Sequence, residues 1–488
     1  MMKIPRWLKR TGKWILYLLV AIVSLYVLAC AWLSWSAKRD WQQTKKELEA
    51  RGEKLSLADF IPPQIPDEVN FYSSPLFADI MPPRAKDHWR EMKIKPLDGG
   101  NFIMSETKNR KDAKGLMNLE AFAVRLRTEE NKNQSAATVI LNAFKEKKNL
   151  WNALNDAAEK PEARFPAQYE KLFVTPLPHL TMLIACSSML TLRAVAHMEA
   201  GESQEAERDI KLILRLSDSL STEPFLISHL VRISCVRMAS QSIWEGIERH
   251  VWTSEELEDF ENQLASEKLL DGLCLAYRGE RGGFNTLCSQ MAQGNQSSGK
   301  ELYSEMAQEN QSSGKELFTW WPLIPWHWLY SDMAFYSRAL QDRIDILTQP
   351  NGINKNTYSE VFIHSKRERL KHLLSAQIIP AISGAGRKFA ETQSQIEMTR
   401  IACALERYKI ACGVYPETLD ALIPNYIEKL PNDVASAKPY HYRRNAPDKF
   451  TLWSVGFDGV DDNATPVAKA AEGEIEKGDW VWGVFTKK

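Results

Sequence analysis

Cysteine is scarce, and its placement suits no metal. None of the seven sits in a CxxC or other zinc-type spacing, which excludes a zinc ribbon and a thioredoxin-type redox centre. GxSxG and HExxH are both missing, so neither a hydrolase elbow nor a zincin helix is encoded. Net charge is missing too, since 62 basic side chains balance 62 acidic ones. Non-specific binding of nucleic acid needs a basic face, so no nucleic-acid partner is expected. Two glycine motifs fail in detail. Residues 294–300 (GNQSSGK) match the first seven places of a phosphate loop, but Glu301 stands where Ser or Thr should hold magnesium. Gly384-Ala385-Gly386 is too short for a dinucleotide fingerprint.

What is present begins with twenty residues without charge, WILYLLVAIVSLYVLACAWL at 14–33. At 1.5 Å per residue this run is about 30 Å long, the thickness of a bilayer's hydrocarbon core. Lys3, Arg6, Lys9, Arg10 and Lys13 precede it without an intervening acid, and Trp14, Trp32 and Trp35 mark its ends, where indoles favour the interface. The pattern predicts a cytoplasmic tail over 1–13 and a transmembrane helix over 14–35 that contacts membrane lipid. Residues 34–51 carry five further Lys/Arg, so the basic count alone leaves orientation open. The short acid-free tail favours the N-terminus inside, because long domains translocate largely regardless of charge. The expected location is a bacterial inner membrane, single-pass, with the C-terminal bulk extracytoplasmic. Two alternatives stand. Val27-Leu28-Ala29-Cys30 is similar to a lipobox, and processing there would leave a lipoprotein carried on Cys30. Ordinary signal cleavage would suit an apolar core of about 7 to 15 residues, shorter than this one.

Residues 36–80 read as a charged helix interrupted at Gly52, then an extended proline-rich linker (IPPQIPDEVNFYSSPLF). Residues 81–170 lack a clear period except for a helix over 136–158, carried by Val139, Ile140, Phe144, Leu150 and Leu154. Residues 171–390 are predicted to be packed helical hairpins. HLTMLIACSSMLTLRAVAHMEAG stops at Gly201, and ESQEAERDIKLILRLSDSL follows with one polar face. This pair resembles a tetratricopeptide hairpin, with Ala194, Gly201, Ala206 and Ile210 near that motif's packing positions. No second copy occurs 34 residues on. Pro224 opens another long helix, and Thr253 or Ser254 caps the next. Residues 291–320 hold a tandem duplication with 11 of 15 positions identical, a polar unit suited to a surface segment. Eight aromatics between Phe318 and Tyr336 form either a packed cluster or a membrane-interface or sugar-stacking surface. His229 and Glu280 are the candidates for an acid/base pair within this domain. Their plain alternatives are a core histidine and a solvated or ion-paired glutamate. His364 and His372 lie eight apart without a carboxylate in metal spacing.

Residues 391–488 change character. A helix ends at Gly413, Pro416 opens a short one, strand candidates cover 439–444 and 450–455, and GDWVWGVF is a candidate edge strand. The fold class is therefore mainly α, with a small C-terminal α+β domain and one N-terminal transmembrane helix. ALERYKIACGVYPETLDAL, LPNDVASAKPYHYRR, LWSVGFDGVDD and GDWVW, taken together, resemble the globular head of type II secretion major pseudopilins. That head covers roughly the last 95 residues. No prepilin cleavage motif adjoins the head and about 360 residues separate it from the anchor, so assembly into a pseudopilus is not implied. The whole chain resembles single-pass bacterial envelope proteins with a tetratricopeptide-like middle and such an end.

Asp458, Asp461 and Asp462 place three carboxylates within five residues, and Gly459 lets the backbone turn. The cluster is a candidate calcium site, and the pseudopilin resemblance implies calcium in this loop, with Asp479 returning to close it. An Asp/Gly/Asn cluster is otherwise an ordinary solvated turn. Six cysteines follow Cys30, and disulfides among them stay open. Cys403 and Cys412, if in one helix, are about 13 Å apart and cannot pair. The sequence predicts no catalytic residue and no cofactor besides calcium. It predicts a binding or scaffolding module at the membrane, serving secretion or envelope machinery through an unidentified protein partner. The alternative is an envelope hydrolase whose site is assembled within the helical domain.

Overall fold

Helix α1 runs unbroken from Arg6 to Ala50, because the charged stretch after residue 35 contains neither proline nor glycine until Gly52. The computed structural model describes residues 6–80, 115–169, 175–292, 326–349, 351–358, 372, 374–467 and 477–484. The apolar part of α1 is wholly uncovered by protein: Leu25 is 67% and Trp32 64% exposed. Water does not tolerate so long an apolar rod, which makes it a candidate membrane span or signal anchor. A second helix, α5 (Pro178–Glu199), passes the same length and hydropathy test but is 78% buried, as expected of a core helix.

The described chain forms two compact units. The first comprises Met1–Asp59, Arg281–Gln341 and Val361–Ala381. Here the end of α1 leaves the apolar stretch and becomes covered, with Trp41 and Leu48 buried. Helix α9 (Leu269–Ala292) supplies Arg281, and α10 (Trp326–Thr348) supplies Gln341. The Arg281 guanidinium is fully buried and donates to Gln341 Oε1 and Glu53 Oε2, each at 2.5 Å, and to the Lys54 carbonyl at 3.1 Å. Asn285 donates to Ser337 Oγ and to the Leu55 carbonyl. Arg338 pairs with Asp40. Helix α11 (Ser375–Cys412) begins here, and its first amide is capped from α10 by Asp332, whose Oδ1 accepts Ser375 N–H at 3.1 Å.

The second unit comprises Phe60–Glu280, Asp342–Glu360 and Ile382–Lys488. Residues 60–80 were expected to be an extended linker and are instead part of its core. Phe71, Tyr72 and Phe77 are fully buried, with ring centroids 5.0–5.2 Å apart. Two short 3-10 turns (Phe71–Ser73 and Pro75–Ile80) carry them, the first capped by Asn70. Burial of three aromatic rings outweighs the extended bias of the surrounding prolines. The single helix expected over 136–158 is two, α3 (Ala136–Lys145) and α4 (Lys148–Ala158), after a short α2 (Leu119–Ala123).

α5, α6 (Ser203–Asp218) and α7 (Leu226–Glu248) pack on one another. The α5–α6 turn needs Gly201 at φ +78°, which lets Glu202 N–H reach back to the His197 carbonyl at 2.9 Å. Ala194, Ala206 and Ile210 are fully buried across the hairpin. α8 (Ser254–Ala265) starts with a capping box made by Thr253 and Glu256.

The boundary expected at residue 391 is not an element boundary, since α11 runs through it. Cys403 and Cys412 share that helix, and all seven cysteines are free. Beyond α11, β1 (His441–Ala446), β2 (Lys449–Ser454) and β3 (Trp480–Val481) form an antiparallel sheet in sequence order, with His441 opposite Trp453 and Trp453 opposite Val481. The protein is thus mainly helical with a small three-stranded sheet near its C-terminus. Most of the tandem duplication, the phosphate-loop-like segment, the first part of the aromatic run and His364 lie outside the described residues. Of the aromatic run, Tyr336 is buried, its ring tilted against Phe284 with centroids 4.3 Å apart.

Candidate functional site

A cleft of about 510 Å³ opens in the second unit, within the size range of small-ligand sites. Its floor is a stripe of α11, Gln393, Glu397 and Arg400, which helical spacing places on one face. Gln393 is buried and bridges two elements. Its Oε1 accepts the Leu269 N–H at 3.0 Å, capping α9, while Nε2 donates to the Glu267 carbonyl and to Glu397. Arg400 donates to Glu261 at 2.8 and 3.0 Å and to Glu397 at 2.7 Å.

One wall is the loop 429–434. It is held by Asp433, whose nearly inaccessible carboxylate accepts Ala435 N–H at 2.9 Å, Ser436 Oγ at 3.0 Å, Ser454 Oγ at 2.6 Å and Val455 N–H at 3.3 Å. The segment 351–358 ties the same loop down, with Ile353 N–H donating to the Val434 carbonyl at 2.8 Å. Gly352 makes that approach feasible, because a Cβ there would lie 2.4 Å from the Ala435 carbonyl oxygen. These bonds fix the 433–436 end of the wall in the folded chain.

The rim carries Lys268, Asp271 and Lys429, all exposed. Among the described residues none of the three side chains has a hydrogen-bond or ion-pair partner. The described lining has no imidazole, thiol or hydroxyl. The arrangement can hold a ligand by charge and apolar contact; its ionisable groups are two carboxylates, two lysines and Arg400.

The structure does not bring His229 and Glu280 together. His229 Nε2 donates to the Glu223 carbonyl at 2.8 Å, and its Nδ1 lies against Gly272. Burial pushes its pKa down to about 4. Glu280 instead caps a helix: its Oε1 accepts the Leu226 N–H at 3.0 Å, at the first residue of α7. Burial pushes its carboxyl up to about 7. The paired reading fails because each side chain is committed to a different backbone group.

Sequence reasoning missed a buried hub at Glu223. It receives His179 Nε2 at 2.8 Å and the Ser228 hydroxyl, while the Phe165 ring stacks on His179 at 3.8 Å. Ser228 and His179 are inaccessible. The hydroxyl donates to the carboxylate, not to an imidazole, so no nucleophile–base pair forms. The hub ties the first turns of α5 and α7 together. No local pattern marks it, because its partners are 5 and 44 residues away.

The acidic turn does not make a calcium shell. Asp458 accepts Val460 N–H and Gly478 N–H. Asp461 accepts Trp453 Nε1–H and Asn463 N–H, each at 3.0 Å, and the indole bond holds its carboxyl below the ordinary range. Asp479 does return, but to accept Asp462 N–H and Ala464 N–H. Asp462 contributes its amide to that bond. Among the described residues no three His, Cys, Asp or Glu side chains gather around a metal position. Asp458, Asp461 and Asp479 are thus turned to N–H groups of their own surroundings, and no three side chains converge among the described residues as a cation that takes six to eight oxygens would need.

Glu280 yields a pH prediction. Its folded pKa of about 7 lies above the ordinary glutamate value, so its contribution to stability is complete below about pH 4 and is lost as pH rises through 7. Glu280→Gln keeps an acceptor for Leu226 N–H and cannot ionise. Thermal melts should find it equal to wild type at pH 4 and more stable at pH 8.5, by about 3 kcal/mol. Equal stability at both pH values would refute this reading of Glu280.

No family model, curated protein or solved structure matches this chain.

Proposed function

We propose that the protein is a membrane-tethered binding module that holds a protein partner in the cleft of its second unit. The observation that carries this reading is the cleft itself: shaped by Asp433 and Gln393, open, and rimmed by unpaired side-chain charge. The uncovered apolar length of α1 supports the tether. The short basic tail favours a single-pass, N-inside arrangement in a bacterial inner membrane, with the bulk extracytoplasmic. The tetratricopeptide-like hairpin α5–α6 and the pseudopilin-like order of the C-terminal elements fit a scaffold serving secretion or envelope machinery. The hydrolase alternative draws nothing from His229 and Glu280, which bond to different backbone groups.

The test is co-purification of the detergent-solubilised full chain, comparing wild type with a chain whose residues 429–432 are replaced by Gly and Ser. A partner retained by wild type and lost by the variant, at unchanged melting temperature, is expected. Equal retention by both would remove the cleft from the function.

A further inference from the structure

The lining of the cleft also restricts what chemistry fits it. Its formal charges are Lys268, Lys429 and Arg400 against Asp271 and Glu397, three positive and two negative, leaving one positive. Arg400 is already neutralised by Glu397 and by Glu261 behind it. The cations free to meet a ligand are therefore Lys268 and Lys429. A polyanion such as nucleic acid or a phosphorylated headgroup would meet the unpaired Asp271 carboxylate as well, and like charges in one site repel. A singly charged carboxylate flanked by neutral groups does not carry that penalty.

Apart from Gln393 and Asn432, the remaining lining is apolar. Leu270 and Leu347 face the cleft from helices, while Leu430, Pro431 and Val434 face it from the loop. Such a surface removes aliphatic side chains from water. Between them, Lys429 and Leu430 have backbone amides and carbonyls with no partner among the described residues. An extended chain laid beside them can pair with those groups, as an added strand does.

We infer that the cleft recognises an extended acidic-apolar peptide segment of another protein, with one Asp or Glu carboxylate between Lys268 and Lys429 and aliphatic neighbours against the leucine and proline walls. This rests on the cleft being the binding surface proposed above. The carboxylate supplies register and the apolar side chains supply most of the affinity, because rim charges act mainly on approach and specificity.

The experiment pans a random heptapeptide phage library against the full chain in lipid nanodiscs, then measures the selected synthetic peptides by fluorescence anisotropy. The expected consensus is a single Asp or Glu beside Leu, Ile, Val or Phe. Lys268→Glu/Lys429→Glu should weaken binding about tenfold or more, whereas Lys145→Glu/Lys148→Glu, with the same change in net charge on an exposed face, should leave it unchanged. Both lysines of the first pair are exposed and unpaired, so folding survives, and melting temperature checks it. A basic or acid-free consensus, no enrichment, or equal binding by the charge-reversed pair overturns the inference. Peptides of another chemistry that are lost when residues 429–432 are replaced would sink the acidic-apolar class alone. Peptides that still bind that variant would sink the cleft reading with it.

Discussion

Asp433→Ala should be the most damaging single change near the cleft. It removes one carboxylate and leaves two buried amides and two hydroxyls, those of Ala435, Val455, Ser436 and Ser454, without their acceptor. Each orphaned buried donor costs about 1 to 3 kcal/mol, partly recovered by relaxation, so a loss of about 3 to 5 kcal/mol is expected. The same residue fixes the end of the wall at 433–436, so peptide affinity should fall beyond detection while the Ala435 and Val455 amides lose protection from hydrogen exchange. Asp433→Asn retains one acceptor oxygen and should fall between. Urea unfolding checks the first number. A loss under about 1 kcal/mol with unaltered exchange would show that the segment 351–358 alone holds the wall.

Arg281→Met should be comparably severe in the first unit. Arg281 is completely inaccessible, and its removal takes a buried cation from Glu53 and a donor from Gln341 and the Lys54 carbonyl. Removing one partner of a buried ion pair leaves an uncompensated charge and costs about 3 to 5 kcal/mol. The weak point would be the stretch following α1, where Arg51 and Lys54 offer trypsin its sites. Cleavage there should become rapid in the variant and stay slow in wild type. The double change Arg281→Met/Glu53→Leu should recover much of the loss, because no charge is then left buried. Slow cleavage and an unchanged melting temperature in Arg281→Met alone would contradict this account of how α1 is attached.

Both sites show where sequence reading stops. α1, the stop at Gly201, the cap at Thr253 and the three strands follow from local signals: an uncharged run, a glycine after a periodic helix, a capping box and alternating residues around a turn. The elements seen differ from the expected strand limits by one or two residues. Contacts that decide the core are remote. Arg281 reaches Glu53 across 228 residues, Gln393 reaches Leu269 across 124 and Glu280 reaches Leu226 across 54. Periodicity carries no information at such separations, and a buried glutamate reads like a solvated one. The proline-rich stretch misled for a related reason. Prolines set the local bias toward extension, but Phe71, Tyr72 and Phe77 meet one another in three dimensions. The acidic turn misled because spacing records how close carboxylates are along the chain, not which amides they face. The cleft was invisible because Lys268 and Lys429 are unremarkable surface lysines until α11 and the Asp433 loop bring them to one opening.

The central claim is that a membrane-held chain binds a partner through this cleft. Its most direct test is a photo-crosslinking amino acid placed at Asn432, on the cleft, and at Asn142, exposed on α3, in the full chain within its native membranes. The account predicts that both chains stay with the membrane after alkaline carbonate washing, that Asn432 alone yields a discrete protein adduct, and that an acidic-apolar peptide competes the adduct away. Release by carbonate, equal adducts from both positions, or none from Asn432 would contradict it.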